Sequence, residues 1–71
     1  MIWFDLNAEQ RRVTLHAMTR FGGRFVSRLA DAWVCADEFH AGRLGDAFPH
    51  LLQRYGPGTQ AYADAEARED A

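Results

Sequence analysis

The chain has 71 residues, of which 48% are hydrophobic and 13% aromatic, and its formal net charge at pH 7 is −2. This composition excludes a disordered chain, which would have few aromatic residues and a high net charge. Cys35 is the only cysteine, so an intrachain disulfide is excluded as well.

The charges are divided unevenly along the chain. Residues 1–36 contain five arginines and three acids, whereas residues 37–71 contain three arginines and seven acids. The first half is therefore positive and the second half negative. A surface with a positive and a negative part favours electrostatic steering toward a protein partner or contact with a second copy of the chain. It is poorly suited to binding along a phosphate backbone.

The first predicted helix begins near Asp5 or Asn7, either of which can cap it, and extends to about Phe21. A strand is the alternative, because apolar residues alternate over 13–17 and the glycine pair that follows Phe21 is compatible with a hairpin turn. In the helical interpretation, Gly22 is the C-terminal cap and the pair makes a tight turn into a second helix.

The stretch 25–36 places apolar residues at helical spacing over almost half of a helix circumference. So wide an apolar face needs burial on more than one side, so we expect this to be the central helix of a small bundle. The apolar arc consists of Phe25, Val26, Leu29, Ala32, Trp33 and Ala36, and the polar side holds Arg24, Ser27, Arg28 and Asp31.

Asp37 is well suited to cap a third helix, which runs to about Phe48, and Pro49 can open a short fourth helix. Residues 59–71 are rich in alanine and acids, so we expect a polar tail that is a frayed helix or disordered. The predicted fold is all-α: a bundle of three to four helices in a single domain spanning 1–58. Since so short a chain buries a limited share of its surface, we also expect a homodimer.

The residues that carry catalytic or metal chemistry form no recognisable pattern. Cys35, His40, His50 and His16 lack the paired spacing of a closed zinc site, so we expect no metal and no cofactor. The sequence has no nucleophile elbow or phosphate loop, and a domain of this size has little room for a preorganised pocket. We therefore expect a protein that is not an enzyme.

The first two predicted helices and their short turn have the outline of a helix-turn-helix. Arg24, Ser27 and Arg28 then lie early in the helix that would read DNA. A small dimeric DNA-binding regulator is thus an alternative function. The acidic second half argues against it, because carboxylates repel phosphate.

Most aromatic residues are assigned to the core by their spacing. The assigned set is Phe21, Phe25, Trp33, Phe39, Phe48 and Tyr55. The first two aromatic residues of the chain are the exceptions, because large apolar groups near arginines have the composition of an interface hot spot; burial in the core is their alternative. The predicted partner-binding residues are Trp3, Phe4, Arg11, Arg12, Arg20, Arg24 and Arg28.

The beginning of the sequence lacks the basic leader and apolar run of a secretory signal. No stretch approaches the roughly 18 to 20 apolar residues that span a bilayer. We therefore expect a cytoplasmic protein without a membrane partner.

The run LADAWVCAD, followed by GRLGDAFPHLLQRYGPG, resembles small uncharacterised proteins encoded by bacteriophages and prophages of GC-rich bacteria. The shared pattern is Ala-Trp-x-x-Ala-Asp, then Ala-Phe-Pro, then Arg-Tyr, and it covers about residues 29–58. Phage accessory proteins of this kind often bind a host protein stoichiometrically, and inhibitors of CRISPR and other defence systems are among them. The resemblance thus implies a non-enzymatic inhibitor of a host protein in the host cytoplasm, with an anti-CRISPR role as one form of it.

Overall fold

The computed structural model describes residues 2–70, and side chains as far as Arg68. The described residues form a short 3₁₀ turn at Trp3–Asp5 and five α-helices: α1 (Ala8–Phe21), α2 (Gly23–Val34), α3 (Glu38–Ala47), α4 (Pro49–Tyr55) and α5 (Gln60–Asp70). The all-α prediction is confirmed, and the first segment is a helix, not a hairpin. The number of helices is five instead of three to four.

Local side-chain hydrogen bonds set the beginnings of α1 and α3. The Asn7 side chain accepts from the backbone N–H of Gln10 at 2.8 Å, and the Gln10 side chain accepts from the backbone N–H of Asn7 at 2.9 Å. Asp37 accepts from the backbone N–H of His40 at 2.8 Å. Each bond satisfies an N–H group that has no partner inside its helix. The cap of α1 is therefore Asn7, and the cap predicted at Asp37 is confirmed.

The connection between α1 and α2 consists of Gly22 alone. Its backbone N–H donates to the carbonyl of Met18 at 2.9 Å, which closes the last turn of α1 as predicted. Gly23, the first residue of α2, has a φ of +79°, a left-handed conformation that glycine adopts without steric cost. This turn lets α1 and α2 pack along one another as a helical hairpin.

The centre of the bundle is α1, and the prediction of a central helix at 25–36 is wrong. α1 packs against α2, α4 and α5, and its buried residues are Val13, Thr14, Leu15, Ala17 and Met18. α2 buries Ala30 and Trp33, whereas Phe25 is 65% exposed and Val34 is also exposed. The apolar arc of α2 is wider than the surface that its neighbours cover.

The segment predicted to be a polar tail contains α5, which packs against α1 and α4. Ala65 is fully buried and Tyr62 is half-buried. Thr59 starts the helix, because its hydroxyl accepts from the backbone N–H of Tyr62 at 3.2 Å and donates to the carbonyl of Gly56 at 2.7 Å. Small alanines let α5 approach α1 closely without long apolar side chains. Met1 and Ala71, which the predicted ranges included, lie outside the described residues.

The 3₁₀ turn at the N-terminus closes the bundle by packing onto α3. The Trp3 and Trp33 rings lie 5.1 Å apart between centroids, and both are buried. Two glycines of α3 face this turn. A Cβ on Gly45 would lie 2.8 Å from the Cβ of Trp3, and one on Gly42 would overlap the Phe4 ring. These two glycines therefore serve close packing, although glycine lowers helix propensity.

Gly45→Ala and Gly42→Ala form a matched pair that tests this packing. Both replacements raise the helix propensity of α3 by about 1 kcal/mol. We expect Gly45→Ala to destabilise the protein by about 1–3 kcal/mol, because the new methyl group meets Trp3 next to its backbone. Gly42→Ala meets the far end of the Phe4 ring, which can rotate away, so its effect is close to neutral. Urea unfolding of both variants measures the difference, and equal effects would contradict this packing.

Trp33 and Phe25 test which face of α2 is buried. Trp33→Ala removes a ring that is fully enclosed, and we expect it to cost about 3–5 kcal/mol, enough to unfold much of so small a domain. Phe25→Ala removes an exposed ring, and we expect a change within about 0.5 kcal/mol. Thermal unfolding followed by circular dichroism measures both. Similar losses of stability in the two variants would mean that Phe25 is part of the core.

Candidate protein-binding surface

Of the two aromatic residues predicted to bind a partner at the N-terminus, Trp3 is buried and Phe4 is half exposed. Trp3 keeps only 5% of its surface accessible, so of the two positions that the sequence left open for this ring the structure has the one in the core. The physical reason is that the 3₁₀ turn directs this ring toward Trp33 and away from solvent. The Phe4 ring lies over Gly42 with 53% of the residue exposed.

Arg11 is engaged within the molecule. Its Nε donates to the Trp3 carbonyl at 3.3 Å, and its Nη1 pairs with Glu38 Oε1 at 3.1 Å. Its guanidinium also lies 5.1 Å from the Trp3 ring centroid and 5.6 Å from that of Phe4, which are cation–π distances. Arg11 therefore joins α1, α3 and the N-terminal turn.

Arg12 is exposed and paired within its own helix. Its Nε donates to Glu9 at 3.1 Å, and a second guanidinium nitrogen bonds the other carboxylate oxygen. These hydrogen bonds hold the pKa of Glu9 below its ordinary value. The pair lies one turn apart on α1, where such contacts contribute little to stability because water screens them.

The other three predicted arginines, Arg20, Arg24 and Arg28, are exposed near the junction of α1 and α2. None of them takes part in an ion pair among the described residues. The stretch 20–28 contains no acid. Arg24 and Arg28 are four residues apart on α2 and so lie on the same side of the helix. Their guanidiniums are available to a partner.

Two exposed phenylalanines lie among these arginines. Phe25 follows Arg24 directly on α2, and Phe21 ends α1. Sequence reasoning assigned both rings to the core. Phe25 stands at the edge of the apolar arc beside arginines, and that position is the signal that identifies it as a surface residue.

The fold brings three further side chains to this region. The Phe25 ring meets that of Phe48 edge-on at 6.4 Å, and Phe48 lies 6.2 Å from the His50 ring. The Arg68 guanidinium of α5 lies 5.9 Å from the Phe21 ring. We call the whole set the aromatic–arginine surface, and its residues are Arg20, Phe21, Arg24, Phe25, Arg28, Phe48, His50 and Arg68.

Phe39 is the other strongly exposed phenylalanine on a regular helix, and its surroundings differ. It is 63% exposed on α3, close to the value for Phe25. Its ring lies 5.5 Å from the Arg43 guanidinium and 5.2 Å from the His40 ring. Acids precede it directly in the sequence at 37 and 38. Phe39 therefore provides an equally exposed ring in a more acidic setting.

Shallow depressions occur elsewhere on the protein. One lies on α3, lined by Arg43, Asp46 and Ala47, and another is lined by Arg12, Leu15, His16, Thr19 and Val34. Across the described part of the chain, no cluster of three histidine, cysteine, aspartate or glutamate side chains is arranged to hold a metal ion. Over the same residues, no helix combines the length and apolar character needed to cross a bilayer.

Comparisons with known proteins give no relative for this chain. No family model matches the sequence, and neither a curated protein nor a solved structure matches it significantly.

The cap of α3 gives a pH-dependent contribution to stability. Hydrogen bonds from the backbone and side chain of His40 hold the pKa of Asp37 below its ordinary value. A depressed pKa means that this contribution is complete above about pH 4, the usual value for aspartate, and is lost as the pH falls through the lower pKa of the folded state.

Asp37→Asn isolates this effect, because asparagine also caps a helix but does not titrate. We expect the thermal midpoint of the unaltered protein to fall further than that of the variant when the pH is lowered from neutral to below the folded-state pKa of Asp37. Differential scanning calorimetry over this pH range measures both slopes. Parallel slopes would mean that the Asp37 cap makes no such contribution.

Proposed function

We propose that this chain is a non-enzymatic protein-binding module that acts by stoichiometric binding through the aromatic–arginine surface. The observation that carries the proposal is the exposed Phe25 ring on the same helix as the exposed Arg24 and Arg28, a helix whose Trp33 is fully buried. Aromatic residues and arginine dominate the binding energy of protein interfaces. Burial of this exposed ring against a partner removes apolar surface from water, and the arginines of the same helix have no ion pair among the described residues.

The biological setting of the proposal comes from the resemblance of residues 29–58 to phage and prophage accessory proteins. In that setting the partner is a host protein, which the bound module blocks in the host cytoplasm. A component of a CRISPR or other defence system is the proposed kind of target.

A homodimer belongs to the same proposal. A domain of this size buries a limited share of its apolar surface, and Ile2, Phe4 and Phe39 remain exposed on α3 or on the turn that packs against it. Light scattering of the purified chain measures its mass in solution.

DNA binding is the second candidate, favoured by the exposed Arg24 and Arg28 on successive turns at the start of α2. The connection before α2 is shorter than the three to four residues usual in a helix-turn-helix. A specific shift of duplex DNA with steep salt dependence, lost in Arg24→Ala plus Arg28→Ala, would favour this function over protein binding.

Capture from a bacterial lysate tests the protein-binding proposal. The bait proteins are the unaltered chain, Phe25→Ala plus Arg28→Ala, and Phe39→Ala as the control for an equally exposed ring. We expect one protein to be retained at about equal molar amount by the unaltered chain and by Phe39→Ala, and lost from the double variant. The proposal is contradicted if all three baits retain the same protein, or if none of them retains a protein although all three are folded.

A further inference from the structure

We propose that the aromatic–arginine surface recognises an acidic segment of the partner protein. This segment has two carboxylates about 6 Å apart and an aromatic side chain beside them. This inference rests on the proposed function and specifies the chemistry of its partner.

The five arginines of residues 1–36 fall into two groups. Arg11 and Arg12 are paired with Glu38 and Glu9, so they have little capacity left for a partner. Arg20, Arg24 and Arg28 have no ion pair among the described residues. Guanidinium binds carboxylate through two parallel hydrogen bonds, so each exposed arginine is a specific site for an acid.

Tertiary structure adds a fourth cation to this group. Arg68 belongs to the acidic half of the chain, yet α5 carries its guanidinium to the Phe21 ring. Asp31 follows Arg28 by almost one turn on α2 and is the nearest acid in the sequence of that helix. Residues 20–28 themselves contain three arginines and no acid, although the whole chain is negative.

The spacing of the cations limits the form of the ligand. Arg24 and Arg28 are separated by about 6 Å along the helix axis, since each residue rises about 1.5 Å. Alternate residues of an extended segment are about 6.6 Å apart and lie on the same side, so an acid at every second position matches both arginines. The Phe25 and Phe48 rings are in edge contact, and Phe25 follows Arg24 directly on α2, so this ring pair offers an apolar site for an aromatic residue of the same segment.

A protein ligand fits this surface better than a nucleic acid. A duplex carries about one negative charge per 1.7 Å, and along the 32 Å length of this molecule it would extend beyond the cationic junction. There it would meet exposed acids of other helices, such as Glu38, Asp46 and Glu66. A short acidic segment avoids this repulsion because it contacts the junction alone.

Titration of the full chain with synthetic probes, followed by nitrogen–proton NMR, tests the inference. The probes are a peptide with glutamate at two alternate positions and phenylalanine at the next alternate position, so that all three side chains lie on one side of the extended segment, the same peptide with glutamine in place of glutamate, and DNA oligonucleotides, single-stranded and duplex. We expect saturable shifts at residues 20–28 with the acidic peptide and at least tenfold weaker binding of the glutamine peptide, a difference of about 1.4 kcal/mol. Added salt should weaken the acidic complex.

Arginine variants distinguish this surface from general charge attraction. Arg24→Gln plus Arg28→Gln should weaken the acidic peptide at least tenfold. Arg43→Gln plus Arg54→Gln removes the same charge from exposed positions on α3 and α4, and should leave the affinity unchanged. An equal loss of affinity for the acidic peptide in both double variants would overturn the inference. So would the absence of peptide binding to the unaltered chain at millimolar peptide concentrations.

Other occupants give different results. Tighter binding of either oligonucleotide than of the acidic peptide would assign the surface to nucleic acid. Shifts at 20–28 that depend on protein concentration, with no probe added, would assign it to a second copy of the chain. Both results overturn the acidic-segment inference.

Lysate capture separates the inference from the proposed function. A captured protein that binds the arginine variant Arg24→Gln plus Arg28→Gln as well as the unaltered chain leaves the proposed function standing and refutes the acidic-segment inference. Peptide binding at 20–28 without any captured protein supports the inference about the surface and counts against the proposed function.

Discussion

The contact between Trp3 and Trp33 is the interaction on which the rest of the structure depends. It joins the N-terminal turn to α2, and Gly45 lets the same turn lie against α3. Each tryptophan buries about 150–250 Å², a large share of the apolar surface that so short a chain encloses. Neither indole nitrogen has a hydrogen-bond acceptor among the described residues, at a cost of about 1–3 kcal/mol each, and the ring packing has to offset that cost.

The exposed phenylalanines of α1 and α2 lie away from the tryptophan contact. Phe25 is about 12 Å from Trp33 along the axis of α2, since the two are eight residues apart. Phe21 and Phe25 lie outside the core, near the arginines of the α1–α2 junction. Cations beside exposed rings keep such a surface hydrated and also make it specific for a partner of opposite charge.

The arginines of the positive half differ in role because they differ in neighbours. Arg11 lies between α1, α3 and the N-terminal turn, where a carboxylate and a carbonyl are within reach. Arg24 and Arg28 project from the outer side of α2, where no described carboxylate is close enough to pair with them. Arg11 therefore stabilises the fold, and the exposed pair remains available for recognition.

The sequence by itself determined where α1 ends and where α3 and α4 begin, and it limited the cap of α1 to Asp5 or Asn7. Asn7, Asp37, the pair at 22–23 and Pro49 act on the backbone within a few residues, so their effects can be predicted without knowledge of the fold. Tertiary structure alone decided which apolar residues are covered. Periodicity gives the width of an apolar face but not the number of helices packed on it, so it predicted Phe25 in the core although the ring is exposed. The burial of Trp3, which the sequence left open, depends on its contact with Trp33. Tertiary structure also decided that α5 packs against α1 and that Arg68 reaches Phe21, because both depend on contacts between residues far apart in the chain.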